Sequence, residues 1–268
     1  MTFRLRLIVL LPLIALVFAG LTGLGLWQLA RGDYKDGLEE ERGTRTAAPP
    51  LDAEAVIALP PEEIDYRRVA IDGRWDHERT MTISNRFRFG IRGEDVVTPL
   101  LLSEQGPAVL VNRGWVPLSQ RERVLDELAR EPKGHIEGLA RTIVGGVGQE
   151  IGPGTWNRLH VPSMAETLPY EVVPWQLLEG ELLERLPLTP PPELPVRGFV
   201  GYDNTTPHMQ YALTWFGFAA TLAVTAFLRI GLRRGGEVRP VSDASPAAAG
   251  EAVSSRRRTG GDDGQQGV

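Results

Sequence analysis

Two long stretches without charged residues stand near the two ends of the chain. The first runs from Leu7 to Ala30 and the second from Met209 to Leu228, and neither contains Asp, Glu, Lys or Arg. As a helix, the first stretch would be about 36 Å long at about 1.5 Å per residue, enough to cross a hydrocarbon core of about 30 Å. The pattern therefore predicts two transmembrane helices, over residues 7–30 and 209–228.

The first stretch has a second interpretation, as a cleaved signal peptide. Val17, Phe18 and Ala19 would serve as a small-residue cleavage site. Against this, the uncharged stretch continues to Ala30, well beyond the roughly 7 to 15 residues of a typical signal core. A retained helix is the preferred interpretation.

Between the two stretches, short apolar runs alternate with glycine and proline. Residues 80–85 place Met81 and Ile83 on one side and Thr82 and Ser84 on the other, the period of a half-buried strand. Further predicted strands cover residues 66–75, 96–97 with 100–102, 108–111, 135–142 and 172–178. Together they predict a mainly antiparallel sheet or a small barrel.

Two short helices are predicted within this region. Ser119 is placed to cap residues 120–130, where Val124, Leu125 and Leu128 form an apolar stripe. A second helix over residues 162–168 would begin at Ser163. The fold class is therefore a membrane protein in which two transmembrane helices flank a mainly antiparallel β (α+β) extracytoplasmic domain.

The predicted organisation follows in chain order. Residues 1–6 are a short cytoplasmic N-terminus, residues 31–208 the β-rich domain, and residues 229–268 a cytoplasmic tail. Within the domain, residues 187–195 contain three consecutive prolines and predict a stiff, extended spacer. The tail is too poor in large apolar groups to fold alone, so we expect it to be disordered.

The distribution of charge predicts the orientation. The net charge is +2 before Leu7, −9 between the two spans and +2 after Leu228. By the positive-inside tendency both termini are cytoplasmic and the domain lies on the far side. Six residues leave no room for a mitochondrial presequence, and 27 of the 29 basic residues are arginine, as in GC-rich genomes. We therefore predict the plasma membrane of a prokaryotic cell.

Composition excludes several kinds of chemistry. The chain has no cysteine, which rules out disulfides, thiolate metal sites and a covalent c-type haem. Its net charge of −5 argues against nucleic acid as a main partner. The glycines of residues 145–154 fit no nucleotide-binding spacing, and neither span carries an ionisable acid or base. We expect a protein that is not an enzyme.

The candidate chemistry lies where the chain enters the second span. His208 follows Pro207, and Tyr211 and Trp215 stand three and seven residues further on, with Thr214 beside them. An imidazole, a hydroxyl and aromatic rings on one helix face could hold haem by axial ligation, hydrogen bonding and stacking. The alternative is an interfacial anchor, because tyrosine and tryptophan are enriched where lipid meets water.

The first span also offers a surface for close helix packing. Ala15, Ala19 and Gly23 form a four-residue repeat of small side chains, and Gly20 and Gly25 add further bare backbone. The partner could be the second span or another protein, and the sequence does not decide between them.

Three strings of residues resemble one known family. They are Leu24-Gly25-Leu26-Trp27-Gln28-Leu29, then Asn112-Arg113-Gly114-Trp115-Val116-Pro117, then Tyr211-Ala212-Leu213-Thr214-Trp215-Phe216 after His208. Their order and spacing resemble the Surfeit locus protein 1 family from about Leu24 to Leu228. The resemblance implies a membrane-bound assembly factor for cytochrome c oxidase that holds or presents haem a as this cofactor enters the catalytic subunit.

The resemblance also implies site residues and partners. It makes His208 the axial ligand of the haem iron and the metal-binding residue, supported by Tyr211, Thr214 and Trp215. Its partners would be the oxidase catalytic subunit, a haem a synthase and membrane lipid. Family members commonly have an asparagine directly before this histidine, whereas here Asn204 stands four residues earlier. A scaffold that gathers oxidase subunits without touching haem is the alternative.

Overall fold

The computed structural model describes residues 3–234 except for positions 105, 132, 144 and 186. The described chain divides into two compact units, one formed by Ala19–Gly217 and the other by the residues on either side of that range. Most of the predicted tail, from residue 235 onward, lies outside the described residues.

Six α-helices occur in the described residues. They are α1 (Phe3–Ala47), α2 (Ala53–Ala58), α3 (Pro61–Ile64), α4 (Arg121–Leu128), α5 (Val161–Ala165) and α6 (His208–Arg234). Ten strands accompany them in the described part. They are β1 (Arg68–Trp75), β2 (Met81–Arg88), β3 (Ile91–Leu101), β4 (Ala108–Pro117), β5 (Lys133–Arg141), β6 (Glu150–Gly152), β7 (Thr155–Trp156), β8 (Val172–Glu179), β9 (Leu182–Leu183) and β10 (Phe199–Val200).

The first and last helices are both long and apolar enough to cross a membrane. The candidate spans lie within Ile8–Ala47 of α1 and His208–Arg229 of α6, each of which contains a strongly apolar stretch of 18 residues. They flank a mostly β domain, which confirms the predicted order of elements. Helix α1 does not end near Ala30 but continues through charged residues to Ala47.

Five strands close into a barrel. Their order is β1-β5-β8-β4-β3, and β3 returns to β1 through the pairs Arg74–Leu101 and Trp75–Leu100. All neighbours are antiparallel except β4 and β8, which run parallel. This is a five-stranded Greek-key barrel of the type found in OB-folds. The sheet extends beyond β3 through β2, β7 and β6.

The barrel interior is filled by branched and aromatic side chains from alternate positions of its strands. They are Val69, Ile71, Trp75, Leu100, Val109, Val111, Ile136, Ala140, Val173, Trp175 and Leu177. A second apolar cluster joins β2 and α5 and includes Met81, Ile83, Trp156 and Met164. Thr82, predicted on the solvent side, is also buried, because β7 pairs alongside it and Thr155 accepts its hydroxyl hydrogen bond.

The starts of both short helices differ from prediction. Leu118–Gln120 form a 3-10 turn, so α4 begins at Arg121 without a capping bond from Ser119. Helix α5 begins after His160, whose Nδ1 accepts a hydrogen bond from the Ser163 backbone N–H at 3.3 Å. An imidazole therefore caps the helix that Ser163 was predicted to start.

The proline-rich segment does not lead straight to the second span. Residues 187–195 are neither helical nor extended in a sheet, and Leu194 packs beside the apolar cluster under α4. The chain then returns to the barrel, where Val196 and Trp115 exchange backbone hydrogen bonds. Strand β10 pairs with β9 before the chain reaches α6.

Candidate functional site

His208 is the first residue of α6 and faces α1. Its Nδ1 lies 2.9 Å from Oε1 of Gln28, a residue 180 positions earlier in the chain. The other ring nitrogen, Nε2, is buried and has no hydrogen-bond partner among the described residues. The imidazole is thus held by one nitrogen and leaves the other unsatisfied.

The two helices approach closely at this point because α1 lacks side chains there. A Cβ atom at Gly32 would lie 3.3 Å from the Cβ of His208, and one at Gly25 would lie 2.5 Å from the ring of Phe216. Ala212, between His208 and Phe216 on the same face of α6, is fully buried. The residues facing α1 are therefore four apart, at positions 208, 212 and 216.

The contact uses a different set of small residues from the predicted stripe. A Cβ at Gly23 would have nothing within 4 Å, and the same holds for Gly20. The approach is made by Gly25, which was predicted as additional bare backbone, and by Gly32. Seven residues apart, they line the face of α1 on which Gln28 stands.

The other predicted site residues, Tyr211, Thr214 and Trp215, lie in the first two turns of α6 after His208. Tyr211 is about half exposed, at 51%. Thr214 is exposed and its hydroxyl donates to the carbonyl of Gln210 at 2.8 Å. Trp215 is half-buried. On α1, Trp27 is 58% exposed.

Gln28 is a site residue that the sequence analysis does not connect with His208. Its Oε1 lies within hydrogen-bond distance of His208 Nδ1. A signal was available, because Gln28 is the only side-chain amide within residues 7–30. A polar group inside an apolar span needs a partner, and in α6 the imidazole is the one it meets.

Cations and aromatic rings hold the charged end of α1 against the barrel. The Arg42 guanidinium lies 4.7 Å from the ring centre of Tyr66 and 4.4 Å from that of Tyr202. Arg141 lies 4.0 Å from the centre of the Tyr66 ring. Lys35 Nζ donates to the Tyr202 hydroxyl at 3.3 Å. This cluster fixes α1 relative to the domain within the Ala19–Gly217 unit.

The same end of α1 holds the segment that leads into α6. Asn204 Nδ2 donates to Asp36 Oδ1 at 2.8 Å, and its backbone N–H donates to Glu39 Oε2 at 3.2 Å. Asn204 is the asparagine that is displaced from the position before the histidine. Its contacts are with α1, so it positions the entry to α6 and does not touch His208 through any hydrogen bond in the described structure.

The second of the three strings that resemble the family, residues 112–117, lies in the barrel. The pairing register between β3 and β4 shifts there, because Val96 pairs with Gly114 and Val97 pairs with Asn112. Arg113 is therefore the extra residue of a β-bulge. The strand predicted over residues 108–111 continues through this bulge to Pro117. Gly114 has φ +118°, and any Cβ there would collide with the carbonyl oxygen of Val196.

At the bulge, the Arg113 side chain is buried and pairs with two carboxylates. Its side chain is 1% exposed, with Nε 2.9 Å from Glu179 Oε2 and Nη2 2.6 Å from Glu131 Oε2. The guanidinium lies 4.1 Å from the ring centre of Trp75. These contacts are internal to the barrel and explain the arginine without a ligand.

The remaining histidines of the described chain carry no comparable feature. His77 Nε2 lies 2.6 Å from the carbonyl of Glu131, and His135 Nδ1 lies 3.0 Å from Asp72 Oδ1 at an exposed site. Within the described residues, no three His, Asp or Glu side chains are grouped so that they could hold a metal ion. His208 is distinguished by its buried, unsatisfied nitrogen.

The fold and the site define a class: a barrel domain between two candidate membrane-spanning helices, with a histidine where the second helix begins. Comparison with known proteins agrees with that class. The model of the SURF1 family matches residues 15–220, so the chain belongs to the SURF1 family. Membership of this family implies a role in the assembly of cytochrome c oxidase.

Individual relatives cover most of the chain. A SURF1-like protein of Monosiga brevicollis is 28% identical over 238 residues, which span 80% of this chain and 84% of the relative. Surfeit locus protein 1 of Takifugu rubripes is 25% identical over 77% of this chain and 91% of its own length. The Homo sapiens protein of that name is 27% identical over 76% of this chain and 72% of its own.

Proposed function

We propose that the protein is a non-enzymatic, membrane-anchored assembly factor that holds haem a while the catalytic subunit of cytochrome c oxidase receives it. Family membership supports the oxidase-assembly role. The observation that carries the haem-binding step is the buried Nε2 of His208, which has no partner among the described residues while Nδ1 is engaged by Gln28.

The types of side chain at this site suit the chemistry of haem a. Haem a would supply an iron that accepts a nitrogen ligand and a flat apolar ring. His208 would donate the Nε2 lone pair, and the exposed ring of Tyr211 and the half-buried ring of Trp215 offer apolar surface on the same helix. The Thr214 hydroxyl donates to a backbone carbonyl and keeps its acceptor capacity. Because Nε2 is covered, groups around it have to move before a ligand reaches it.

The proposed setting is the plasma membrane of the cell. Both chain ends would be cytoplasmic, and the barrel would lie on the outer side, as the charge distribution favours. His208 would then stand at the outer surface of the bilayer. The two candidate spans are consistent with membrane anchoring of this kind.

The barrel is proposed to recognise the immature catalytic subunit, and a haem a synthase would be the source of the cofactor. Membrane lipid surrounds the spans. Nucleic acid is not among the proposed partners, because the chain carries a net charge of −5. No catalytic residues are proposed.

The haem step is tested by purifying the full chain, in detergent, from cells that make haem a and recording its absorption spectrum. We expect bound haem in the native protein and a loss of most of it in His208→Ala. The matched control is His135→Ala, which removes a histidine that is 63% exposed in the barrel domain. Equal haem content in the native and His208→Ala proteins would refute the ligand assignment.

A scaffold that binds only protein is the second candidate, and the covered position of Nε2 favours it. Such a protein would gather oxidase subunits or the haem synthase through its barrel and use the imidazole only to join its helices. It predicts that oxidase subunits co-purify with the native chain while the absorption spectrum shows no haem.

A further inference from the structure

We propose that Gln28 is a positioning residue that holds His208 in one tautomer, with the proton on Nδ1 and the lone pair on Nε2. The inference deepens the proposed function, since a ligand nitrogen must carry a free lone pair. The tautomer itself is a property of the protein without cofactor, so it can be tested whether or not haem binds.

The hydrogen bond sets which ring nitrogen carries the proton. A neutral imidazole has one N–H donor and one acceptor nitrogen, and an amide oxygen can only accept. The 2.9 Å between His208 Nδ1 and Gln28 Oε1 is a normal N–H···O length. Nδ1 must therefore donate, which leaves Nε2 without a proton.

The surroundings of Nε2 favour the same tautomer. This nitrogen is buried and meets no donor or acceptor in the described residues. A proton placed there would be a buried N–H without an acceptor, and such orphan donors are rarer in proteins than under-satisfied acceptors. Both ends of the ring therefore point to protonation at Nδ1.

The backbone around Gln28 keeps its amide in place. Gly25 lies one turn before it and Gly32 one turn after it, and these are the positions where α6 comes closest. A Cβ at either would meet Phe216 or His208. Gln28 thus stands between two points of close helix contact, on the face that His208 approaches.

In this tautomer the Nε2 lone pair of His208 is available to a metal. With Nδ1 already bonded to an oxygen, Nε2 can donate its lone pair without moving a proton between the ring nitrogens. A second hydrogen bond of this kind orients metal-binding histidines and fixes their tautomer. Gln28 does so from the neighbouring helix without touching the ligand, which is why it is a positioning residue.

The test is a ¹⁵N NMR spectrum of the imidazole nitrogens in the full-length, haem-free protein in detergent at about pH 8. The chain is labelled at histidine, and the His208 signals are identified by their loss in His208→Ala. We expect Nδ1 protonated and Nε2 unprotonated in the native protein. In Gln28→Leu we expect the proton to move to Nε2 or the two forms to exchange.

Two further variants separate positioning from general packing. Gln28→Glu keeps an oxygen acceptor at the same length and should retain the proton on Nδ1. Gln210→Leu removes an exposed amide two residues from His208 and should leave the native tautomer unchanged. If Gln28→Leu does not fold, the native protein and Gln28→Glu still decide the question.

The outcomes are distinct from those of the haem experiment. A native protein with the proton on Nε2, or a Gln28→Leu protein with an unaltered tautomer, would overturn the role of Gln28. A native protein that carries no haem but shows Nδ1 protonated would refute the proposed function and leave the role of Gln28 standing.

Discussion

The bulge at Arg113 and the head of α6 at His208 both place a nitrogen-rich side chain in a buried setting, and they differ in how it is satisfied. Arg113 has carboxylates on two of its nitrogens and Trp75 across its face, and Glu179 is shared with Arg197 at 3.1 Å. His208 has one neutral partner and an unsatisfied nitrogen. The charge of Arg113 is balanced inside the domain and is explained by folding, whereas the unsatisfied nitrogen of His208 is the observation on which the proposed haem ligation rests.

One atom of Arg113 resembles His208 Nε2 in lacking a partner within the described chain. Arg113 Nη1 is also buried without a hydrogen-bond partner among the described residues. The guanidinium nevertheless has three other N–H groups, on Nε and Nη2, and its positive charge faces two carboxylates. His208 has no ion pair of this kind, and Nε2 is the one nitrogen of its ring without a hydrogen bond in the described residues.

The largest effect on stability is expected when Arg113 is removed from its buried contacts with Glu179 and Glu131. Arg113→Leu leaves the Glu179 carboxylate, only 10% exposed, without its closest buried cation. Breaking such a buried pair typically lowers the free energy of unfolding by about 3 to 5 kcal/mol. Chemical denaturation of the full chain in detergent measures the loss, and haem content per folded molecule should not change.

The control for that variant is an exposed pair on α4. Arg123 lies 2.7 Å from Glu127, with side chains 54% and 46% exposed. Arg123→Leu should lower stability by no more than about 0.5 kcal/mol, because solvent screens exposed pairs. An Arg113→Leu protein as stable as this control would contradict the structural role of the bulge.

The two regions also differ in what their sequence could reveal. Uncharged runs of 24 and 20 residues are long enough to form apolar helices, so the apolar parts of α1 and α6 were predictable from the pattern of charged residues. The same holds for β2, where alternation around Met81 and Ile83 matched the strand. These signals are local, and each depends only on neighbours in the chain.

What the sequence did not reveal depends on contacts between distant residues. Residues 31–47 of α1 are polar and carry no apolar stripe, and their docking depends on the stacking of Arg42 between Tyr66 and Tyr202. Closure of the barrel depends on two residue pairs between β1 and β3. Gln28 and His208 are 180 positions apart, and no local pattern joins them.

A smaller effect is expected from filling the helix contact near His208. In Gly25→Ala the new Cβ would lie 2.5 Å from the Phe216 ring, which has to move. Overpacking costs about 1 to 3 kcal/mol, and replacing a helical glycine recovers about 1 kcal/mol, so we expect a net loss of about 1 kcal/mol. Thermal unfolding in detergent measures it. We also expect bound haem to decrease, because the ring lies two turns from the imidazole.

The matched control is Gly20→Ala on the same helix. A Cβ at Gly20 has nothing within 4 Å, so the substitution should cause no loss of stability and no loss of haem. If both alanine variants behave alike, close packing at Gly25 does not shape the site. The proposed difference between the barrel and the start of α6 would then no longer include an effect of helix packing on the His208 site.

The smallest expected effect concerns Asp95, a buried carboxylate that faces the bulge. Burial raises its pKa above the usual range, against the opposing attraction of Arg88 and Arg86. In the unfolded chain the Asp95 carboxyl has a pKa of about 3.9. Above that pH the native state keeps a proton that the unfolded state has lost. Asp95 therefore contributes stability that is complete below the unfolded pKa and lost as pH rises through the folded one.

Asp95→Asn removes that loss while keeping the shape of the side chain. We expect the variant and the native protein to unfold at similar denaturant concentrations near pH 4, and the variant to gain by up to about 1 kcal/mol relative to the native protein near pH 7. Asp126→Asn, at an exposed position of α4, should show no pH-dependent difference. A native protein that instead gains on the variant as pH rises would mean that the two arginines outweigh burial. The carboxylate would then belong to the balanced charges of the barrel, together with Glu179.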